Sequence, residues 1–124
     1  VAREVRRITN GWGADVVADF VGTSDTLKHG VDMLAMNGRL SIIGLSTTSE
    51  ALVTAKAAPL LYGERSIIGS RGFSRQEVAE CIALVANGTY RPVVNHLFPL
   101  EKANEAHTLV ASGRSIGRVV LTMD

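Results

Sequence analysis

At 124 residues the chain is long enough for one ordinary domain and too short for two. Hydrophobic residues make up 46% and charged residues 20%, which excludes a disordered segment. A net charge of +1, with scattered basic residues, leaves no footprint for nucleic acid or an acidic membrane.

The single cysteine, Cys81, excludes an internal disulfide and fits a reducing, cytoplasmic compartment. Its neighbours Val78, Ile82 and Val85 predict a buried structural thiol rather than a nucleophile. No apolar run approaches the roughly 20 residues that span a bilayer. Val1–Thr9 has neither the apolar stretch nor the cleavage site of a signal peptide. The chain starts on Val1, inside a helical pattern, and reads as cut from something longer.

Val1, Ala2, Val5 and Ile8 recur at helical spacing. Arg3, Arg6 and Arg7 read as the solvated side of that helix. Asn10, Gly11 and Gly13 break it. Asp15–Val21 has no polar/apolar alternation, as expected of a parallel strand buried on both faces. Ser24 is the expected N-cap of a helix carrying Leu27, Val31, Leu34 and Ala35, stopped at Asn37-Gly38. Leu40–Ile43 is a second strand, completing a right-handed βαβ unit.

Ser46–Glu50 reads as polar loop, and Ala51–Tyr62 as helix interrupted by Pro59. Arg65–Gly69 is a third strand. Ser74-Arg75-Gln76-Glu77 is a capping box, opening a helix through Val78, Ile82, Val85 and Ala86 to Asn87-Gly88. Pro92–Leu97 reads as extended, Leu100–Ala111 as helix and Arg118–Thr122 as the last strand. The alternation argues for an α/β fold.

Three strands leave through similar residues: Phe20-Val21-Gly22-Thr23, Ile43-Gly44-Leu45-Ser46 and Ile68-Gly69-Ser70. In a parallel sheet these are carboxyl ends along one edge, where open α/β sheets bind ligands. Glycine there lets a flat ligand approach the backbone, although glycine also ends strands for turn reasons alone.

The order and spacing of five segments resemble the medium-chain dehydrogenases, and most of all their zinc-type alcohol dehydrogenases. The segments are Gly13-Ala14-Asp15-Val16-Val17-Ala18-Asp19-Phe20-Val21-Gly22; Gly38-Arg39-Leu40-Ser41-Ile42-Ile43-Gly44; Ile67-Ile68-Gly69-Ser70 with Ser74-Arg75-Gln76-Glu77-Val78; Phe98-Pro99-Leu100-Glu101-Lys102-Ala103-Asn104-Glu105-Ala106; and Gly117-Arg118-Val119-Val120-Leu121. The resemblance implies the C-terminal half of a partial Rossmann-like, doubly wound parallel sheet with helices on both faces. Residues 1–124 would be a single partial domain, with 1–88 the second half of the NAD(P)-binding fold and 89–124 a segment returning to a catalytic domain.

It also implies a dinucleotide, NAD or NADP, with an alcohol or carbonyl substrate. Phe20, Val21 and Gly22 would lie on the adenosine side. Ile43, Gly44 and Leu45 would face the nicotinamide, and Ile68, Gly69 and Ser70 its carboxamide. Arg118 would meet the pyrophosphate through a charge-assisted contact. The resemblance further implies a homo-oligomer through sheet edges, the Ile67–Gly69 strand pairing with a second copy.

Other family parts do not occur in these residues. There is no Gly-x-Gly-x-x-Gly turn and no ribose-binding acid after one, so NAD and NADP are not distinguished; Asp15 and Asp19 read as structural. Cys81, His29, His96 and His107 stand on separate elements, without the spacing of a zinc site. In the family zinc polarises the alcohol oxygen from an N-terminal part. The chain alone is therefore expected to be inactive, with no catalytic or metal residue of its own. The alternatives are a fragment of a zinc-independent quinone oxidoreductase, a non-catalytic nucleotide-binding module and a purely structural domain.

Overall fold

The computed structural model describes residues 1–45 and 51–123, so the polar loop expected at 46–50 lies outside the described residues. The elements run α1 (Ala2–Ile8), β1 (Ala14–Asp19), α2 (Ser24–Met33), β2 (Leu34–Ile42), α3 (Ala57–Gly63), β3 (Ser66–Gly69), α4 (Arg75–Ala86), β4 (Val94–Pro99), a 3-10 turn (Leu100–Lys102), α5 (Ala103–Ala111) and β5 (Arg118–Thr122). They form two compact units, Val1–Gly72 and Phe73–Asp124. The α/β alternation expected from the sequence is present, and every strand pair is parallel.

In the first unit the sheet order is β1-β2-β3. Val17, Leu40 and Ile67 form one cross-strand row. Against it pack Val31 of α2 and Leu60 of α3, with Leu34 and Ile42. Leu34 and Leu40 are wholly buried, because both helices lay their apolar side on this sheet face. α1 is tied to α2 by Arg6, whose guanidinium donates to the carbonyls of Gly11 and Asp32. Arg6 is therefore not the purely solvated residue expected.

Of the boundaries that differ from the sequence expectation, three shape the first unit. α2 ends at Met33, and Leu34 already pairs with Ala14 of β1. Ala14 faces Leu34 while Val16 faces Arg39, so the surplus of β2 is taken up around Asn37, whose φ is 57°. Leu34 looked helical because it reaches the same core as Leu27 and Val31. The N-cap is Thr23, not Ser24: Thr23 and Thr26 exchange backbone N–H and hydroxyl oxygen in a reciprocal box. Ser24 Oγ instead accepts the Leu52 N–H at 2.9 Å. Finally, helix starts at Ala57 rather than Ala51, and Pro59 falls in its first turn, where a missing N–H is not needed.

In the second unit α4 opens with the expected capping box. Ser74 Oγ accepts the Glu77 N–H at 3.2 Å and the Ser74 N–H donates to Glu77 Oε2 at 2.6 Å; that backbone bond holds the Glu77 carboxyl below its ordinary range. β4 and β5 pair in parallel around α5, with Leu97 opposite Val120 and Phe98 opposite Leu121. Ala106 of α5 is buried. Cys81 overturns one expectation, for its thiol is exposed. The apolar side of α4 has no buried residue, so proximity to Val78, Ile82 and Val85 does not enclose it.

Candidate functional site

Asp19, Ile42 and Gly69 occupy one register row across the three parallel strands. The chain therefore leaves β1 at Phe20, β2 at Ile43 and β3 at Ser70 from a common carboxyl edge, the edge that serves as the ligand side of open α/β sheets. The Ser70 N–H donates to the Ile42 carbonyl at 2.8 Å and levels the third exit with the second. Phe20, Val21, Ile43, Leu45 and Ile68 are all exposed. Nine of the ten expected contact residues thus fall on this edge or the strand end behind it. Arg118 opens β5 in the other unit, its N–H donating to the Val93 carbonyl at 2.7 Å.

The glycines do not all serve the purpose expected of them. A Cβ on Gly22, whose φ is 73°, would stand 2.3 Å from the Gly44 carbonyl oxygen. One on Gly44 would stand 2.2 Å from the Phe20 carbonyl carbon and 2.3 Å from the Val21 nitrogen. These two glycines are required because two backbones touch, whether or not a ligand comes close. Gly69 is different: a Cβ there meets nothing within 4 Å. Of the three, it alone faces open space.

Four N–H groups at the first two exits are already paired within the chain. The Val21 and Gly22 N–H donate to Asp19 Oδ1 at 2.7 and 2.9 Å. The Ile43 and Gly44 N–H donate to the Asp19 carbonyl at 2.9 and 2.8 Å. Beside these paired amides the edge presents apolar side-chain surface, and the Ser70 hydroxyl stands at the third exit.

Asp19 is 6% exposed, and its Oδ2 has no hydrogen-bond partner. Burial by itself would raise its pKa. The bonds from the Gly22 and Val21 N–H, with the Thr26 hydroxyl close by, outweigh burial and hold the carboxyl below its ordinary value. A depressed folded-state pKa stabilises the fold above the unfolded value and ceases to do so as pH falls through the folded one. The chain is therefore expected to lose stability as pH falls through and below the ordinary aspartate range, and Asp19→Asn to flatten that decline. Melting followed by circular dichroism across this range checks it, and an identical slope in the variant refutes it. The sequence carried a signal for this residue: aspartate two and three positions before Val21 and Gly22 has the spacing at which an Asx side chain caps the following backbone.

An in-register parallel edge of this kind defines an open α/β sheet, the class of sheet that binds ligands at its strand ends. The family follows from comparison: the zinc-binding dehydrogenase family matches residues 1–121, and the chain belongs to it. It is 33% identical over 118 residues to an NAD-dependent alcohol dehydrogenase of Sulfolobus acidocaldarius, covering 95% of this chain and 34% of that protein. It is 27% identical over 118 residues to a D-arabinose 1-dehydrogenase (NADP(+)) of Saccharolobus solfataricus, covering 95% and 33%. The crystal structure of the alcohol dehydrogenase from Aeropyrum pernix superposes with a TM-score of 0.87 at 27% identity, over 98% of this chain and 34% of that one. The chain spans about a third of the length of the curated relatives it matches.

The described residues do not fit a zinc ion. His29 lies on α2, Cys81 on α4, His96 on β4 and His107 on α5. Among the described residues no three His, Cys, Asp or Glu side chains gather. No described helix is long and apolar enough to cross a membrane.

Proposed function

We propose that this chain is the C-terminal cofactor-domain portion of an NAD(P)-dependent oxidoreductase that interconverts alcohols and carbonyl compounds, and that it orients the dinucleotide rather than performing chemistry on the substrate. The observation that carries the reading is the single row Asp19–Ile42–Gly69, which sets three exits on one edge in a member of the zinc-binding dehydrogenase family. The dinucleotide, when bound, supplies the hydride acceptor or donor. The chain's own residues do the rest. Phe20 and Val21 give an apolar wall on the adenosine side, and Ile43 and Leu45 one at the nicotinamide. Gly69 leaves room for the carboxamide, and Ser70 offers a hydroxyl to it. Arg118 keeps the role the resemblance gives it, a charge-assisted contact to the pyrophosphate.

Residues 1–88 would be the second half of the nucleotide sheet, and 89–124 the segment that returns to the catalytic domain. β3 is an outer strand of its sheet, and an unpaired strand edge invites pairing. We propose that a second copy pairs there. The reading is tested by melting the 124-residue chain with NAD and with NADP. Either is expected to raise the melting temperature, as a ligand of the folded state must, while no alcohol is oxidised even with zinc supplied. No shift with either at millimolar concentration overturns the binding half of the reading, and measurable turnover overturns the other half.

A further inference from the structure

We propose that Asp19 is the positioning residue of the dinucleotide edge, one buried side chain and its own carbonyl holding two of the three exits in fixed relation. This rests on the reading above, and the geometry supplies the rest. Asp19 is the last residue of β1. Its carboxylate grips the loop that follows β1, through the Val21 and Gly22 N–H. Its carbonyl grips the loop that follows β2, through the Ile43 and Gly44 N–H. The two loops touch where Gly22 meets Gly44, so neither can rise or fall without the other. Phe20, Val21, Ile43 and Leu45, the apolar groups offered to the ligand, are carried on these loops. Their spacing is set from beneath by a residue that is itself too buried to touch the ligand.

The choice of aspartate over asparagine follows from the same contacts. Oδ1 already accepts two N–H groups, and Oδ2 is buried without a partner. Asparagine would keep one acceptor but lose the negative charge that strengthens both N–H bonds. The same charge stands just before the N-terminus of α2, where negative charge is favoured. A group that loses its charge holds its N–H partners less strongly, and the loop bearing Phe20 and Val21 is released with them.

The test uses the 124-residue chain, with NAD or NADP, whichever binds the unaltered chain more tightly. Calorimetric affinity is compared for the unaltered chain, Asp19→Asn, and Leu60→Ala, which loosens the core beneath α3 away from the edge. Asp19→Asn is expected to weaken binding about tenfold, while its circular dichroism spectrum at the assay temperature stays that of the unaltered chain. Leu60→Ala is expected to bind within about twofold of the unaltered chain despite a lower melting temperature. Unchanged affinity in Asp19→Asn overturns the proposal. So does an equal loss in Leu60→Ala, because stability alone would then explain both. An Asp19→Asn chain that does not fold also overturns it, since Asp19 would then be a folding residue only. Absence of binding by the unaltered chain is seen before any variant is compared, and overturns the proposed function together with this inference.

Discussion

Gly44→Ala is expected to destabilise the first unit by at least about 2 kcal/mol. The added methyl would lie 2.2 Å from the Phe20 carbonyl carbon and 2.3 Å from the Val21 nitrogen. Both are backbone atoms, so no rotamer change relieves the overlap; the two loops must part, and the bonds from the Ile43 and Gly44 N–H to Asp19 stretch with them. Gly69→Ala is the informative partner experiment. With nothing within 4 Å of the new carbon, it is expected to change stability by less than about 0.5 kcal/mol yet to weaken dinucleotide binding, because that space is where the ligand is proposed to lie. Urea unfolding and a binding isotherm on both variants give the four values needed. Equal midpoints for the two variants would sink the steric account.

Leu40→Ala is expected to cost about 2–5 kcal/mol, a large share of an ordinary total stability of about 5–15 kcal/mol. Leu40 is wholly buried at the centre of the row Val17–Leu40–Ile67, beneath Val31 of α2 and beside Leu34. Sheet and helix are both held there, so the cavity cannot close by moving one side chain. The measurement is the unfolding midpoint in urea. A midpoint close to that of the unaltered chain would show that the core lies elsewhere.

The sheet was legible because its strands are short apolar-rich runs, each followed by a glycine; the expectation of strands buried on both faces is overturned, for α2 and α3 cover only the Val17–Leu40–Ile67 side and Val16 and Ile68 on the other side are exposed. The beginning of β2 was not. Leu34 stands three residues after Val31, and a residue that enters the same core from a strand keeps the same spacing as one that enters from a helix. Pro59 looked like an interruption because a sequence does not say whether proline sits in a helix interior or its first turn. Cys81 looked buried because apolar neighbours at helical spacing show which side of α4 is apolar, not whether anything covers it.

The site was legible as an edge but not as a mechanism of holding. Gly22, Gly44 and Gly69 are the same letter with two different causes, mutual backbone contact for the first two and open space for the third. Only geometry separates them. Asp19 was read as structural, and the structure shows what it holds.

That shared anchor governs how the unit fluctuates. Four amides on two loops rest on one residue, so neither loop can fray alone at its base. The exits of β1 and β2 are therefore expected to open as one cooperative unit, both strand ends lifting together, which amide exchange at residues 21, 22, 43 and 44 would show as a common rate.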